Sequence, residues 1–182
     1  YDVSDAPLSD VEIGAMPCAF GTALNLLARA GVREGDQALI TGGSGGVGLA
    51  AVQLARQRGA HVTAVSAKPK ADAVLEAGAE RVIGRDELPL QEQFSVVIDV
   101  VGGSAFSSLL EALRPGGRLA TSGAIAGPVV SADLRTVYLK DLTIFGCTYQ
   151  SPENFDELVS LIRAGAVRPM VSQTYPLREV AR

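Results

Sequence analysis

Gln37-Ala38-Leu39-Ile40-Thr41 runs directly into Gly42-Gly43-Ser44-Gly45-Gly46-Val47-Gly48, and Leu49 to Arg58 follow without a break. The first five residues read as a buried strand. After the glycines, Val47, Ala50, Ala51, Leu54 and Ala55 recur at three- and four-residue spacing and so share one helix face. Arg56 and Arg58 suit the negative end of that helix, and Gly59 stops it. Gly43-x-Gly45-x-x-Gly48 thus lies between a strand and a helix, the setting in which this spacing signals a dinucleotide rather than chance. The first glycine allows the tight turn, the second lets backbone approach a pyrophosphate, and the third lets helix and strand pack closely. Backbone N–H groups at Ser44, Gly45, Gly46 and Val47, with the helix dipole behind them, are expected to hold the phosphates.

Outward from this unit the same alternation continues. His61–Ser66 reads as a second strand, followed by a helix that Pro69 opens and Gly78 ends. Arg81–Ile83 is a short third strand. Phe94–Val101 is an apolar run bounded by Gly102-Gly103, which predicts a central strand. A helix over Ser104–Leu113, strands at Arg118–Ser122 and Leu142–Thr148, and a helix opened by Ser151-Pro152-Glu153 complete the pattern. Six strands alternating with helices predict an α/β, doubly wound (Rossmann) parallel sheet with helices on both faces. Right-handed crossovers give the order 3-2-1-4-5-6.

Composition narrows the function. Sixteen Lys and Arg against twenty Asp and Glu leave a net charge of −4, so no basic footprint points to nucleic acid or an anionic membrane. No unbroken apolar stretch approaches the ~18–20 residues that span a bilayer, and no leader opens the chain. Cys18 and Cys147 form no CxxC pair, which suits a reducing, cytoplasmic compartment. One histidine, His61, has no evident acid partner and reads as a strand residue rather than a base. Asp99, at the end of the central strand, is expected to cap the loop that follows it. Cys147 reads as packing, and Arg33, Arg85 and Arg163 as solvated surface. No catalytic side chain and no metal ligand set is named.

The end of the second strand decides between dinucleotides. A carboxylate there holds the ribose 2′-hydroxyl of NAD. Ser66 stands in that place, followed by Lys68 and Lys70, and serine with ammonium groups accepts a 2′-phosphate instead. NADPH is therefore the expected cofactor. Thr41-Gly42-x-x-x-Gly46-x-Gly48 also fits the short-chain dehydrogenase pattern, which requires a lysine four residues after a tyrosine. Tyr1, Tyr138, Tyr149 and Tyr175 are followed at that distance by Asp5, Leu142, Glu153 and Glu179. The short-chain reading fails.

Several blocks resemble the medium-chain dehydrogenase/reductase superfamily, in its zinc-independent, quinone-oxidoreductase-like branch. They are Met16 to Ala23, Gly31 to Asp36, Ser44 to Gly48, Gly78 to Ile83, Val97 to Gly103, Leu113 to Arg118 and Thr174 to Leu177. The resemblance implies that Lys70 and Ser66 face the 2′-phosphate and that Val101 lines the dinucleotide groove. It implies that Gly123, Ala124, Ile125, Phe145 and Cys147 lie beside the nicotinamide, with Thr22 and Cys18, at the start of the preceding helix, facing the same region. It further implies a hydride transfer to a quinone or an α,β-unsaturated carbonyl.

Gly84-Arg85 departs from the branch, many of whose members carry an aromatic residue there, and Gly14 departs from the zinc-dependent members, which carry a ligand at that place. By the same resemblance, residues 1–16 would be a stub of a catalytic domain, 17–165 the dinucleotide-binding domain, and 166–182 a segment returning toward the former. The Leu142–Thr148 edge would pair two copies in a homodimer. A zinc-dependent alcohol dehydrogenase with its ligands elsewhere and a non-catalytic NADPH sensor are the alternatives.

Overall fold

The structure is a computed structural model, and it describes residues 1–88 and 90–179. Six parallel strands form one sheet in the order β3-β2-β1-β4-β5-β6. The strands are β1 (Gln37–Ile40), β2 (His61–Val65), β3 (Arg81–Ile83), β4 (Phe94–Asp99), β5 (Leu113–Thr121) and β6 (Thr143–Gly146). The helices are α1 (Asp10–Arg29), α2 (Gly46–Gln57), α3 (Ala71–Glu76), α4 (Phe106–Ala112), α5 (Leu134–Leu139) and α6 (Pro152–Arg163). Alternating strand residues divide the core in two. Ala38, Ile40, Val96 and Ile98 pack with α1, α2 and α6 on one face. Leu39, Val97 and Leu119 pack with Phe106, Leu109 and Leu110 of α4 on the other. This is the doubly wound arrangement expected, with a topological switch between β1 and β4.

Three local expectations are corrected. Helix α1 starts at Asp10, because Ser9 and Glu12 form a reciprocal capping box. Thr22 and Cys18 therefore sit within its middle turns, not at a helix start. By length and composition α1 could cross a membrane, contrary to the reading of the apolar stretches. Its apolar side is instead buried in the core through Met16, Phe20, Leu24 and Leu27. Strand β5 begins at Leu113 rather than Arg118: Leu113 is fully buried and pairs with Phe94, and the register then shifts before Val96 meets Arg118. The intervening Arg114–Gly117 stretch bulges out, with Gly116 at φ +73°.

His61 does have an acid partner. Parallel pairing of β2 and β3 brings its Nδ1 to 3.1 Å from the Glu80 carboxylate at the amino edge of the sheet. At that same edge, Asp36 accepts hydrogen bonds from Ser95 Oγ at 2.7 Å, Arg118 Nη2 at 2.7 Å and the Arg33 N–H at 3.1 Å. Arg118 also donates to the carbonyls of Ala30 and Gly31, which ties β5 to the end of α1. Burial pushes the Asp36 carboxyl up, but the hydrogen bonds of Ser95, Arg118 and Arg33 and the Arg118 charge outweigh it and leave it below the ordinary carboxylate value.

Candidate functional site: the carboxyl edge of the sheet

Chemistry gathers at the opposite edge. The turn after β1 is closed by the Gly45 N–H donating to the Gly42 carbonyl at 2.9 Å. Of the four N–H groups expected to face phosphate, that of Gly45 is thus engaged within the turn. The N–H groups of Ser44, Gly46 and Val47 have no backbone acceptor among the described residues, as the first turn of a helix requires. A Cβ at Gly48 would run into the Gly42 carbonyl. The third glycine of the motif is needed for that close approach.

Asp99 anchors the neighbouring loop. Its side chain is fully buried and accepts from Thr41 Oγ at 2.7 Å, from the Val101 N–H at 3.1 Å and from the Gly102 N–H at 3.2 Å. Thr41 Oγ in turn accepts from the Val100 N–H at 3.1 Å. The ends of β1 and β4 are thereby locked together across the switch point. The loop after β5 is fastened to the same place, since Ala126 N–H donates to Val101 O and Gly103 N–H to Gly127 O. The loop-capping role expected of Asp99 is what the structure holds.

Three cavities open along this edge. One of about 510 Å³ is lined by Ser44, Gly46, Lys70, Phe20, Met170 and Ser172, among others. A slot of about 30 Å³ at the switch point touches Thr41, Gly42, Val65, Arg85, Asp99 and Val101. The largest, about 680 Å³, lies beyond β4, β5 and β6 and includes Arg29, Asp99, Gly123, Ala124, Cys147 and Tyr149. Sequence-derived residues are therefore brought together in three groups: Ser44, Gly46 and Lys70; Val101; and Gly123, Ala124 and Cys147. Gly45 and Val47 belong to the glycine-rich turn itself. Ser66 is buried at the end of β2, its N–H on Ile83 O. Thr22, Ser66, Ile125 and Phe145 line none of the three, and Ile125 is 90% exposed.

Some lining residues carry no sequence signal. Arg29 lies with its guanidinium 5.9 Å from the centre of the Phe145 ring and borders the largest cavity, without an ion pair among the described residues. Burial pushes the Cys147 thiol up, with the Arg29 charge opposing. Arg85 was expected to be plain surface, yet it borders the switch-point slot. It follows β3, whose pairing with β2 carries the chain there.

Residues 46–164 match the family model described as "Zinc-binding dehydrogenase". The chain belongs to that dehydrogenase family. Acryloyl-coenzyme A reductase of Metallosphaera sedula is 36% identical over 177 residues, covering 94% of this chain and 53% of that protein. A candidate alcohol dehydrogenase from Sinorhizobium meliloti 1021 has a structure similar at a TM-score of 0.91 and 44% identity, over 97% of this chain and 52% of that one. The 2-octenoyl-CoA carboxylase reductase CinF, solved with NADP and 2-octenoyl-CoA, superimposes at a TM-score of 0.89 with 27% identity, over 97% and 46% of the two chains. This member of the zinc-binding dehydrogenase family spans about half the length of the relatives it matches.

The metal in the family's description finds no donor set among the described residues, where no three His, Cys, Asp or Glu side chains are grouped to hold an ion. Glu12 is engaged by Ser9 and by Arg168, and His61 lies at the amino edge with Glu80. A dinucleotide fits better, because its phosphates need the donors and the glycine clearance that the turn after β1 provides.

Proposed function

We propose that this chain is the NADPH-binding part of a zinc-independent medium-chain reductase acting on an α,β-unsaturated carbonyl carried as a thioester. The observation that carries this reading is one cavity in which the phosphate turn meets Lys70, beside a strand end that offers Ser66 in place of a carboxylate. Ser44, Gly46 and Val47 would hold the pyrophosphate through backbone N–H groups. Lys70 and Ser66 would hold the 2′-phosphate, and Lys70 is exposed and makes no ion pair among the described residues. Val101 would flank the groove, and the backbone at Gly123–Ile125 and Phe145–Cys147 would orient the nicotinamide. When bound, NADPH would supply the hydride from C4 of its nicotinamide.

The chain's own residues then act by holding the cofactor and excluding water on the β5–β6 side. The thioester is favoured over a quinone because the acryloyl-coenzyme A reductase is 36% identical over 94% of this chain, against 31% over 90% for a quinone oxidoreductase. Edge strand β6 presents unpaired backbone and a 43% exposed Ile144, and two copies pairing there would protect it.

Titration of the intact protein with NADPH and NADH, followed by nicotinamide fluorescence, tests the cofactor. NADPH should bind the more tightly, and Lys70→Ala should weaken NADPH about 10- to 150-fold while leaving NADH nearly unchanged. Tighter NADH binding would end the reading. In the full-length protein, NADPH consumption with enoyl thioesters but not with quinones should follow, whereas full-length protein that binds NADPH without turnover on any acceptor would favour a sensor. Light scattering on the same samples that returned only monomer would remove the β6 pairing.

A further inference from the structure

The phosphate cavity is only half built by the phosphate turn. Pro169, Met170 and Ser172 of the segment after α6 border it together with Ser44, Gly46, Lys70 and Gln53, whose amide is engaged by the Arg168 backbone. This segment is fastened across α2 by a set of side-chain clamps. The Gln53 amide pairs with both backbone groups of Arg168, its Nε2 donating to Arg168 O at 2.9 Å and its Oε1 accepting from Arg168 N–H at 2.9 Å. Gln57 Nε2 donates to Ala166 O at 2.7 Å. The Arg168 guanidinium lies 3.3 Å from Glu12 on α1. One glutamine thus satisfies a donor and an acceptor of an extended backbone as a neighbouring strand would.

What the clamp presents is chemically suited to a ligand. Met170 is 57% exposed although it borders a cavity, an apolar surface that a bound group would cover. The Ser172 hydroxyl makes no hydrogen bond with the described residues. It stands on the same cavity as the Lys70 ammonium. A phosphate between them would receive a charged donor from one wall and a neutral donor from the other. Closing that wall also lowers the water content around the ion pair, which strengthens it.

We propose that Gln53 is a positioning residue for 2′-phosphate recognition: it holds the Arg168–Ser172 strap so that Ser172 completes the phosphate site opposite Lys70. The proposal rests on the NADPH reading above. It predicts an effect confined to ligands that carry the 2′-phosphate, because the pyrophosphate is held by the turn after β1 and not by the strap.

The test uses the intact protein, with adenosine 2′,5′-bisphosphate and 5′-AMP as probes beside NADPH and NADH, and calorimetry as the readout. Gln53→Ala should weaken adenosine 2′,5′-bisphosphate and NADPH about tenfold while 5′-AMP and NADH stay within about twofold. Gln53 is half-buried on α2, and alanine favours the helix. Ser172→Ala removes only the hydroxyl and should show the same selectivity, at about three- to fivefold. Equal weakening of all four ligands by Gln53→Ala would make the clamp merely structural and overturn the proposal, as would unchanged binding in both variants. A wild-type protein that does not prefer adenosine 2′,5′-bisphosphate over 5′-AMP would remove the cofactor reading itself, and with it the proposal.

Discussion

Each edge of the sheet buries an aspartate, and the two are satisfied by different means. Asp36, at the amino edge, is 4% exposed and meets a guanidinium, that of Arg118, at 2.7 Å. Asp99, at the carboxyl edge, is fully buried and among the described residues meets only neutral donors, a threonine hydroxyl and two backbone N–H groups. A guanidinium can join α1 to β5 and close the amino edge, where nothing needs to enter. At the other edge a cation on Asp99 would not be open to a ligand, and Lys70 and Arg29, which border the cavities there, have no ion pair among the described residues. Capping by backbone N–H groups instead fixes the loop geometry and leaves the positive charge of the region for an anion.

The comparison can be broken most severely at the amino edge. Arg118→Met strands the Asp36 charge in the interior, and thermal or urea unfolding should register a loss of about 2–4 kcal/mol, below the fully buried limit because Arg118 is partly exposed. Cofactor binding by the folded variant should change little. At the carboxyl edge Thr41→Val keeps the shape but leaves Asp99 short of one donor and the Val100 N–H without its acceptor. A smaller loss of about 1–3 kcal/mol is expected, now accompanied by weaker NADPH binding, because the loop at the switch point loses its anchor. Unchanged NADPH affinity would show that the Asp99 network serves stability alone.

The smallest effect sharpens the contrast through pH. The folded-state value of Asp36 is depressed, so its contribution is complete above the unfolded value near ~4 and is lost as pH falls through the lower folded value. Without Arg118, burial should hold that carboxyl protonated more readily. The stability gap between wild type and Arg118→Met should therefore narrow by about 1 kcal/mol or more between pH 7 and pH 4. A gap that stays constant would mean that the pair contributes through packing and not through charge.

Much of the architecture is legible from local pattern. Apolar runs with helical spacing between them are enough for six strands and for their order, because crossover handedness leaves few alternatives. The phosphate turn is legible because its glycines, strand and helix are contiguous. Boundaries fared less well where a partner distant in sequence decides them: Leu113 joins β5 only because Phe94 lies beside it. The start of α1 is the exception, since Ser9 and Glu12, three residues apart, form a local capping signal.

The site divides along the same line. Ser44, Gly46 and Lys70 follow from motif and spacing, and their meeting in one cavity follows from β1 and β2 being neighbours. The strap opposite them does not. Gln53 and Arg168 are 115 residues apart, and a glutamine on a half-exposed helix face has no periodicity that announces a partner. The same holds for Arg118 with Asp36, His61 with Glu80, and Arg29 over Phe145. By itself the sequence determined the layered sheet and the phosphate turn, because backbone preference and burial period act over neighbouring residues. Which aspartate meets a cation, what walls the cavity beside Lys70, and which arginines border the other two cavities depend on the folded arrangement, because those are contacts between elements far apart in the chain.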